Sequence, residues 1–291
     1  ISSIFHSPPP KGEIMKYIKY IIIVIFLAAT ITYVINWAYT KSHTNESAPV
    51  ISVDNAGQVK KVSVKDKDAL LKGVVAKDSK DGDITSRLVV ESISKFVDKK
   101  NHICNITYAV ANSRGVVTKA TRKIQFTDYK KPRFVLSQSL CFDTGTDVDV
   151  KSVIGATDVF DGDISRKVKI LSKDISTNIS GDNTITAQVT NSLGDTVKLK
   201  AVVVIKQDNN LSPVIKLSQN IVYTKVGESF NPKKYIQSVE DNRGKAISKN
   251  NVRVTSSSVK TKKAGCYLVE YSVKDLSGNE GTAYLTVMVE E

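Results

Sequence analysis

The sequence predicts an all-β chain of three tandem antiparallel β-sandwiches that follow one N-terminal transmembrane helix. Three features support this prediction: an uncharged stretch near the amino end, segments that recur about every 80 residues, and alternating apolar residues within each recurrence. The chain has 291 residues, which is enough for two or three domains of ordinary size.

The amino-terminal stretch indicates a membrane-spanning helix. The residues from Tyr20 to Tyr39 carry no charge, and twenty residues are about the length that a helix needs to cross a bilayer core. Lys16 and Lys19 precede them, so the positive-inside rule predicts a cytoplasmic amino end and an extracellular remainder. A cleaved signal peptide is the alternative, but its apolar core would be shorter, and "VINWAYTKS" is a poor cleavage site.

Residues 1–14 fit neither a signal nor a domain. Lys11-Gly12-Glu13 can be encoded by AAAGGAGAA, a purine-rich ribosome-binding sequence just ahead of the Met15 codon. We therefore expect translation to start at Met15 in a bacterium, with the preceding residues untranslated or disordered.

Similar segments recur along the rest of the chain. Pro49, Pro132 and Pro213 open them at intervals of 83 and 81 residues, and the turn sequences "NSRG", "NSLG" and "DLSGN" repeat at a similar spacing. The predicted organisation is an upstream or disordered segment at 1–14, a signal-anchor helix at 15–40, a stalk at 41–47, and sandwich domains at 48–128, 129–207 and 208–291.

Each recurrence ends in a segment with period-two alternation. Leu199, Ala201 and Val203 alternate with other residues in the second recurrence, and Leu285 and Val287 do so in the third. This pattern is typical of half-buried strands, and the turn clusters just before it predict hairpins. Short strands with frequent turns favour a sandwich, and the missing Cys…Trp…Cys pattern excludes an antibody-type core.

Two motifs carry a family resemblance. The first is "AKDSKDGDIT" from Ala76, which returns as "ATDVFDGDIS" from Ala156, and the second is "AGCYLVEYSVKDLSGN" from Ala264. They resemble the immunoglobulin-like repeats of bacterial surface proteins, of the DGDIT type also found in pesticidal crystal proteins. The resemblance covers about residues 48–291. It implies Ig-like sandwiches that act as a spacer or binding module outside Gram-positive cells, without catalysis and without a fixed ligand.

The acidic turns within the first motif could bind calcium or be purely structural. Their carboxylates, which are hard oxygen ligands at matched spacing, are Asp78, Asp81 and Asp83 in one copy and Asp158, Asp161 and Asp163 in the other. An offset of about 82 residues places Arg243-Gly244-Lys245 in the third copy, which keeps the glycine and loses both carboxylates. A turn tolerates that change, whereas a Ca²⁺ site does not. We favour a structural turn over a Ca²⁺ site, and we favour either of these over a pair of catalytic carboxylates. No cofactor other than calcium is predicted.

The charge of the chain favours anionic partners. The net charge is +13, and lysine clusters can be either solvated loop tips or contacts with an anionic cell-wall polymer, glycan or surface protein. Nucleic acid is disfavoured because aromatic residues are sparse among the lysines. The residues predicted to contact polymer are Arg243, Lys245, Lys260, Lys262 and Lys263. The oligomeric state is left open.

No catalytic motif is present in the sequence. It has no GxSxG, no HExxH and no CxxC, and its three cysteines are predicted to be buried apolar residues. We therefore predict a membrane-anchored, non-enzymatic surface protein for adhesion, binding or spacing. The alternative is an accessory subunit of a membrane or cell-envelope complex, docked through its helix, which Thr30 and Thr32 would favour slightly.

Overall fold

A computed structural model describes residues 11–44, 48–207 and 209–291 of the chain. One long helix, α1 (Lys11–Thr44), precedes the β-structure, and a single helical turn, α2 (Val150–Val153), lies within it. Most of the predicted upstream segment 1–14 and part of the stalk at 41–47 lie outside the described residues. Within α1, the stretch Tyr20–Tyr39 has a mean hydropathy of 2.2, and none of it is buried.

In the described residues, twenty strands follow the helix α1, and we group them by the three predicted segments. The first segment (48–128) contains β1 (Val50–Val53), β2 (Lys60–Val62), β3 (Val74–Asp78), β4 (Gly82–Asp83), β5 (Val89–Ile93), β6 (Ile103–Ala111) and β7 (Val117–Phe126). The second segment (129–207) contains β8 (Arg133–Leu136), β9 (Cys141–Asp143), β10 (Ile154–Asp158), β11 (Gly162–Asp163), β12 (Lys169–Asp174), β13 (Gly181–Thr190) and β14 (Thr196–Lys206). The third segment (208–291) contains β15 (Val214–Leu217), β16 (Ile221–Lys225), β17 (Ile236–Glu240), β18 (Arg253–Ser257), β19 (Gly265–Lys274) and β20 (Glu280–Glu290).

The strands pair in the same order in each segment. The small sheets have the orders β1-β3-β4, β8-β10-β11 and β15-β17, and the four-stranded sheets have the orders β2-β7-β6-β5, β9-β14-β13-β12 and β16-β20-β19-β18. The chain is therefore mostly β, with the Ig-like sheets predicted from its sequence. Short 3₁₀ helices connect strands at Asp68–Leu70, Thr85–Arg87, Ser165–Lys167, Pro232–Tyr235 and Lys249–Asn251.

The four-stranded sheets are mixed rather than purely antiparallel. In each of them an early edge strand runs parallel to the last strand of its segment, as shown by the pairs β2 with β7, β9 with β14 and β16 with β20. Parallel neighbours require a connection that leaves the sheet and returns. Here that connection passes through the small sheet of the same segment, and sequence alternation alone carries no sign of it.

The alternating residues form the cores, as predicted. In β14, Leu199, Ala201 and Val203 are buried while Lys198 and Lys200 are exposed. Apolar residues from both sheets of the second segment form one continuous cluster, and those of the third segment form another. Because successive side chains of a strand point to opposite faces, a period of two places every second residue in the core.

The cysteines are all free thiols in the part of the chain that the structure describes. Cys104 is buried, whereas Cys141 and Cys266 are half-buried, and Cys266 packs against the apolar cluster of the second segment. Burial raises the pKa of Cys104 to about 12 and that of Cys141 to about 11, so both stay protonated at neutral pH.

The chain has two compact units. One unit combines Gly73–Val89 and Tyr108–Ala120 with the chain up to Asp54, and the other combines Asn55–Lys72, Val90–Thr107 and Thr121–Glu291. These units do not coincide with the three predicted domains, whose boundaries stay a prediction.

Candidate functional site

The acidic turn of the first segment closes onto the hairpin turn between β6 and β7. Asp78 is buried, and its Oδ2 accepts a hydrogen bond from Nδ2 of Asn112 at 3.0 Å. Asp81 accepts hydrogen bonds from the backbone N–H and the hydroxyl of Ser113, both at 2.6 Å. Arg87 Nη1 completes the arrangement at 2.9 Å from Asp81 Oδ2. We call this set of contacts the acidic clasp.

The second segment repeats the clasp with equivalent partners. Asp158 Oδ2 accepts from Nδ2 of Asn191 at 3.0 Å. Asp161 accepts from the backbone N–H of Ser192 at 2.8 Å and from its hydroxyl at 2.5 Å. Lys167 takes the place of the arginine, with its ammonium 2.9 Å from Asp161 Oδ2. The carboxylates of Asp158 and Asp161 therefore connect the acidic turn to the hairpin turn of the same segment.

The remaining aspartates, Asp83 and Asp163, accept hydrogen bonds from the backbone just after each turn. Oδ1 of Asp83 accepts from the backbone N–H of Thr85 at 2.9 Å, and Asp163 does the same for Ser165. The glycine before each aspartate has a positive φ, 72° at Gly82 and 75° at Gly162, in the region that favours glycine.

The six aspartates predicted as metal ligands thus bind protein donors. Among the described residues, no group of three or more His, Cys, Asp or Glu side chains could hold a metal ion. Calcium binding at Asp78, Asp81, Asp83, Asp158, Asp161 and Asp163 stays an untested prediction.

The acidic clasp also leads to a prediction about calcium. We expect the thermal unfolding midpoint of the full chain in detergent to be the same in excess calcium as in excess EDTA, because serine, asparagine and backbone donors already occupy the carboxylates. The measurement is a pair of thermal melts followed by circular dichroism. A higher midpoint in calcium that disappears in an Asp81→Asn, Asp161→Asn variant would establish a calcium site instead.

The turn of the third segment is bounded in the same way as the first. Glu240 bridges Ala246 across five intervening residues, and Lys77 pairs with Asp83 across the same number. Within the third turn, Oδ1 of Asp241 accepts hydrogen bonds from the backbone N–H groups of Arg243 and Lys245. The correspondence of Arg243–Lys245 with the acidic residues of the other turns stays a prediction.

Hydrogen bonding lowers the pKa of the buried clasp carboxylate. The Asn112 side chain first, and then the backbone N–H groups of Asp81 and Lys80, hold the pKa of Asp78 at about 2. An unfolded aspartate has a pKa near 3.9, so the folded state binds this proton less readily than the unfolded state. The contribution of Asp78 to stability is therefore complete above about pH 4 and is lost as the pH falls towards 2.

This shift predicts how an Asp78→Asn variant will behave. At neutral pH it should unfold more readily than the wild type, because its amide faces the amide of Asn112 in place of an acceptor. The difference in free energy of unfolding should shrink as the pH is lowered from about 4 to 2, where wild-type Asp78 becomes protonated. Urea unfolding at several pH values measures this difference in free energy. A difference that does not change with pH would contradict the lowered pKa of Asp78.

The lysines and arginine predicted to contact polymer are all exposed, but they lie at two places. Arg243 and Lys245 follow β17, whose last residue pairs with Val214. Lys260, Lys262 and Lys263 belong to the turn before β19, whose first residue pairs with Val289 near the end of β20.

A groove of about 680 Å³ adjoins the second of these places. The turn at 260–263 is tied to the chain after β16, because Gly227 N–H donates to the carbonyl of Thr261 at 2.8 Å. The groove is lined by Lys130–Phe134, Val197, Lys198, Tyr223, Lys225, Ala264, Gly265 and Met288–Glu291. Residues of the second and third segments therefore share its wall.

Arg133 and Tyr223 fix the shape of this wall. The guanidinium of Arg133 lies 4.6 Å from the centre of the Tyr223 ring, and it also forms an ion pair with Glu290. The Tyr223 hydroxyl donates to the carbonyl of Phe134 at 3.0 Å. Burial raises the pKa of Tyr223, so the hydroxyl keeps its proton and this hydrogen bond at neutral pH.

Sequence reasoning missed a second set of polar contacts, around Tyr129. The Tyr129 hydroxyl donates to Asp195 Oδ2 at 2.9 Å and accepts from Asn191 Nδ2 at 2.8 Å, with all three side chains buried. Beside it, the backbone N–H of Phe96 donates to the carbonyl of Leu193 at 2.9 Å. The only sign of these contacts in the sequence is Tyr129 itself, an aromatic residue in a short polar connection.

Comparison with known proteins confirms the resemblance predicted from the motifs. Residues 217–289 match the model of the family "Bacterial surface protein, Ig-like domain". The third segment is therefore similar to the Ig-like domains of bacterial surface proteins. Over 223 residues, the chain is 27% identical to the pesticidal crystal protein Cry22Aa of Bacillus thuringiensis. That match covers 74% of this chain but only 29% of the crystal protein.

Solved structures show weaker likenesses. The M60 catalytic domain with two CBM51 domains from Clostridium perfringens ZmpB is 15% identical, with a TM-score of 0.24, covering 83% of this chain and 30% of that one. Domains 4–9 of the surface layer protein SbsC are 13% identical, with a TM-score of 0.18, covering 84% and 50%. Scores this low do not establish a shared arrangement of domains.

Proposed function

We propose that this chain is a non-enzymatic bacterial surface protein, held in the membrane by Tyr20–Tyr39 and presenting Ig-like sandwiches outside the cell for adhesion, binding or spacing. The match of residues 217–289 to the surface Ig-like family is the observation that carries the proposal. The proposed role is non-catalytic because domains of this kind serve as surface modules.

The amino-terminal helix supports membrane attachment. Twenty residues at 1.5 Å each span about 30 Å, the thickness of a bilayer core. Its side chains between Tyr20 and Tyr39 are exposed, so this apolar surface is left for lipid to cover. With Lys16 and Lys19 ahead of it, the amino end lies in the cytoplasm and the sandwiches lie outside.

The helix gives little support to the alternative of an accessory subunit docked through its threonines. The hydroxyl of Thr30 donates to the carbonyl of Phe26 at 2.5 Å, and that of Thr32 donates to the carbonyl of Ala28 at 2.7 Å. Both hydroxyls are therefore satisfied within the helix and need no partner helix.

Protease treatment of intact cells tests the proposal. The full chain, with an epitope tag after Glu291, is produced in a Gram-positive host, and the cells are exposed to protease before lysis. We expect the tag to be lost from intact cells while a cytoplasmic marker survives. A tag that is protected until the cells are broken would overturn the proposed location.

A further inference from the structure

The groove beside the 260–263 turn has an unusual concentration of positive charge. The cations along its lining are Lys130, Lys131, Arg133, Lys198 and Lys225, and the carboxylate side chains there are those of Glu290 and Glu291. Arg133 is paired with Glu290. In the part of the chain that the structure describes, none of the ion pairs involves the four lysines.

The same groove has an apolar floor. Val197, Tyr223 and Met288 are partly buried side chains that pack against the core of the second segment, and each lines the groove. Pro132 and Phe134, which are both buried, belong to the same lining. A concave site of a few hundred Å³ with an apolar floor and a few charged groups has the general form of a ligand-binding site.

Together these features select the chemistry of the ligand. The lysines that line the groove attract a ligand with several negative charges, and the apolar floor favours contact with the C–H faces of sugar rings. Stacked nucleic-acid bases fit less well, because Tyr223, an aromatic ring in the groove floor, is already covered by Arg133.

We infer that this groove binds an anionic saccharide chain, one that carries carboxylate or phosphate groups on its sugars. The inference rests on the proposed function, since it names what the surface module binds. It also selects between the two predicted contact regions: Lys260, Lys262 and Lys263 adjoin the groove and extend its positive surface, whereas Arg243 and Lys245 lie at the opposite end of the third segment and take no part.

Binding is tested with the full chain in detergent micelles. Hyaluronate supplies carboxylates, phosphomannan supplies phosphates, and dextran is the neutral control. We expect one or both acidic chains to bind, with affinity that falls steeply as salt is added, and dextran not to bind. The arm that binds more tightly identifies the anionic group. Equal behaviour of all three polysaccharides would overturn the inference.

Two double variants locate the site. Lys198→Gln with Lys225→Gln should weaken binding about tenfold, because two groove cations are removed. Arg243→Gln with Lys245→Gln removes the same charge from exposed positions away from the groove and should stay within about twofold of the wild type. Equal losses in the two variants would mean that net charge, and not the groove, drives binding.

Two further results separate this inference from competing explanations. Effective competition by single-stranded oligothymidylate at equal charge concentration would overturn the saccharide assignment in favour of nucleic acid. Failure to bind any acidic saccharide, combined with normal protease sensitivity on intact cells, would overturn the groove inference and leave the proposed surface location standing.

Discussion

Replacing Leu27 and Ile31 together by lysine is expected to remove the chain from the membrane fraction. Both residues lie near the middle of the Tyr20–Tyr39 stretch. A charged side chain at the centre of a membrane helix costs about 2.5–3.5 kcal/mol, so the pair costs roughly 5–7 kcal/mol. The measurement is the share of full-length chain that stays in the pellet after an alkaline carbonate wash.

The matched control keeps the helix apolar. A Leu27→Ile, Ile31→Leu variant should stay in the pellet like the wild type, because its hydrophobicity is almost unchanged. If the double-lysine chain also stays in the pellet, the helix does not anchor the protein. A wild-type chain that is released from the membrane and lacks residues 15–40 by mass would establish the alternative, a cleaved signal peptide.

Asn191→Ala is expected to cost roughly 3–5 kcal/mol of stability. One amide Nδ2 group donates to both Tyr129 and Asp158, and its Oδ1 accepts from the backbone N–H of Asp195 at 2.8 Å. Its removal leaves a buried carboxylate and a buried hydroxyl short of a partner, at about 1–3 kcal/mol for each group and more where the group is charged. Urea unfolding followed by circular dichroism measures the loss.

An exposed asparagine in another turn provides the control. Asn242→Ala changes the same side chain at an exposed position and should alter stability by less than about 0.5 kcal/mol. If Asn191→Ala is as mild as Asn242→Ala, the buried hydrogen bonds do not hold the second segment together, and the acidic clasp is only a local turn. A Tyr129→Phe variant should fall between the two, because it removes the hydroxyl and leaves the amide in place.

The local features of this protein could be predicted from its sequence. Alternation in residues such as Leu199, Ala201 and Val203 predicts strands and their buried faces, because the side-chain period of a strand depends only on its own backbone. The uncharged stretch predicts the helix for a similar reason, since length and composition decide whether a helix can span a bilayer. The "DGDI" motifs predict turns, because a glycine with positive φ is a local requirement.

Pairings between distant residues were decided by the tertiary structure. The sequence alone does not show that Asp78 meets Asn112, or that Tyr129 joins Asn191 and Asp195.

The groove shows most clearly the difference between what the sequence determines and what the tertiary structure decides. Lys130, Lys198 and Lys225 are ordinary surface lysines when each is considered in its own strand or loop, and only folding places them around one apolar floor. The sequence by itself therefore determined the strands, the helix and the surface-type Ig-like character of the third segment. The tertiary structure decided which charges share a site, because strand order and sheet packing, and not distance along the chain, bring side chains together.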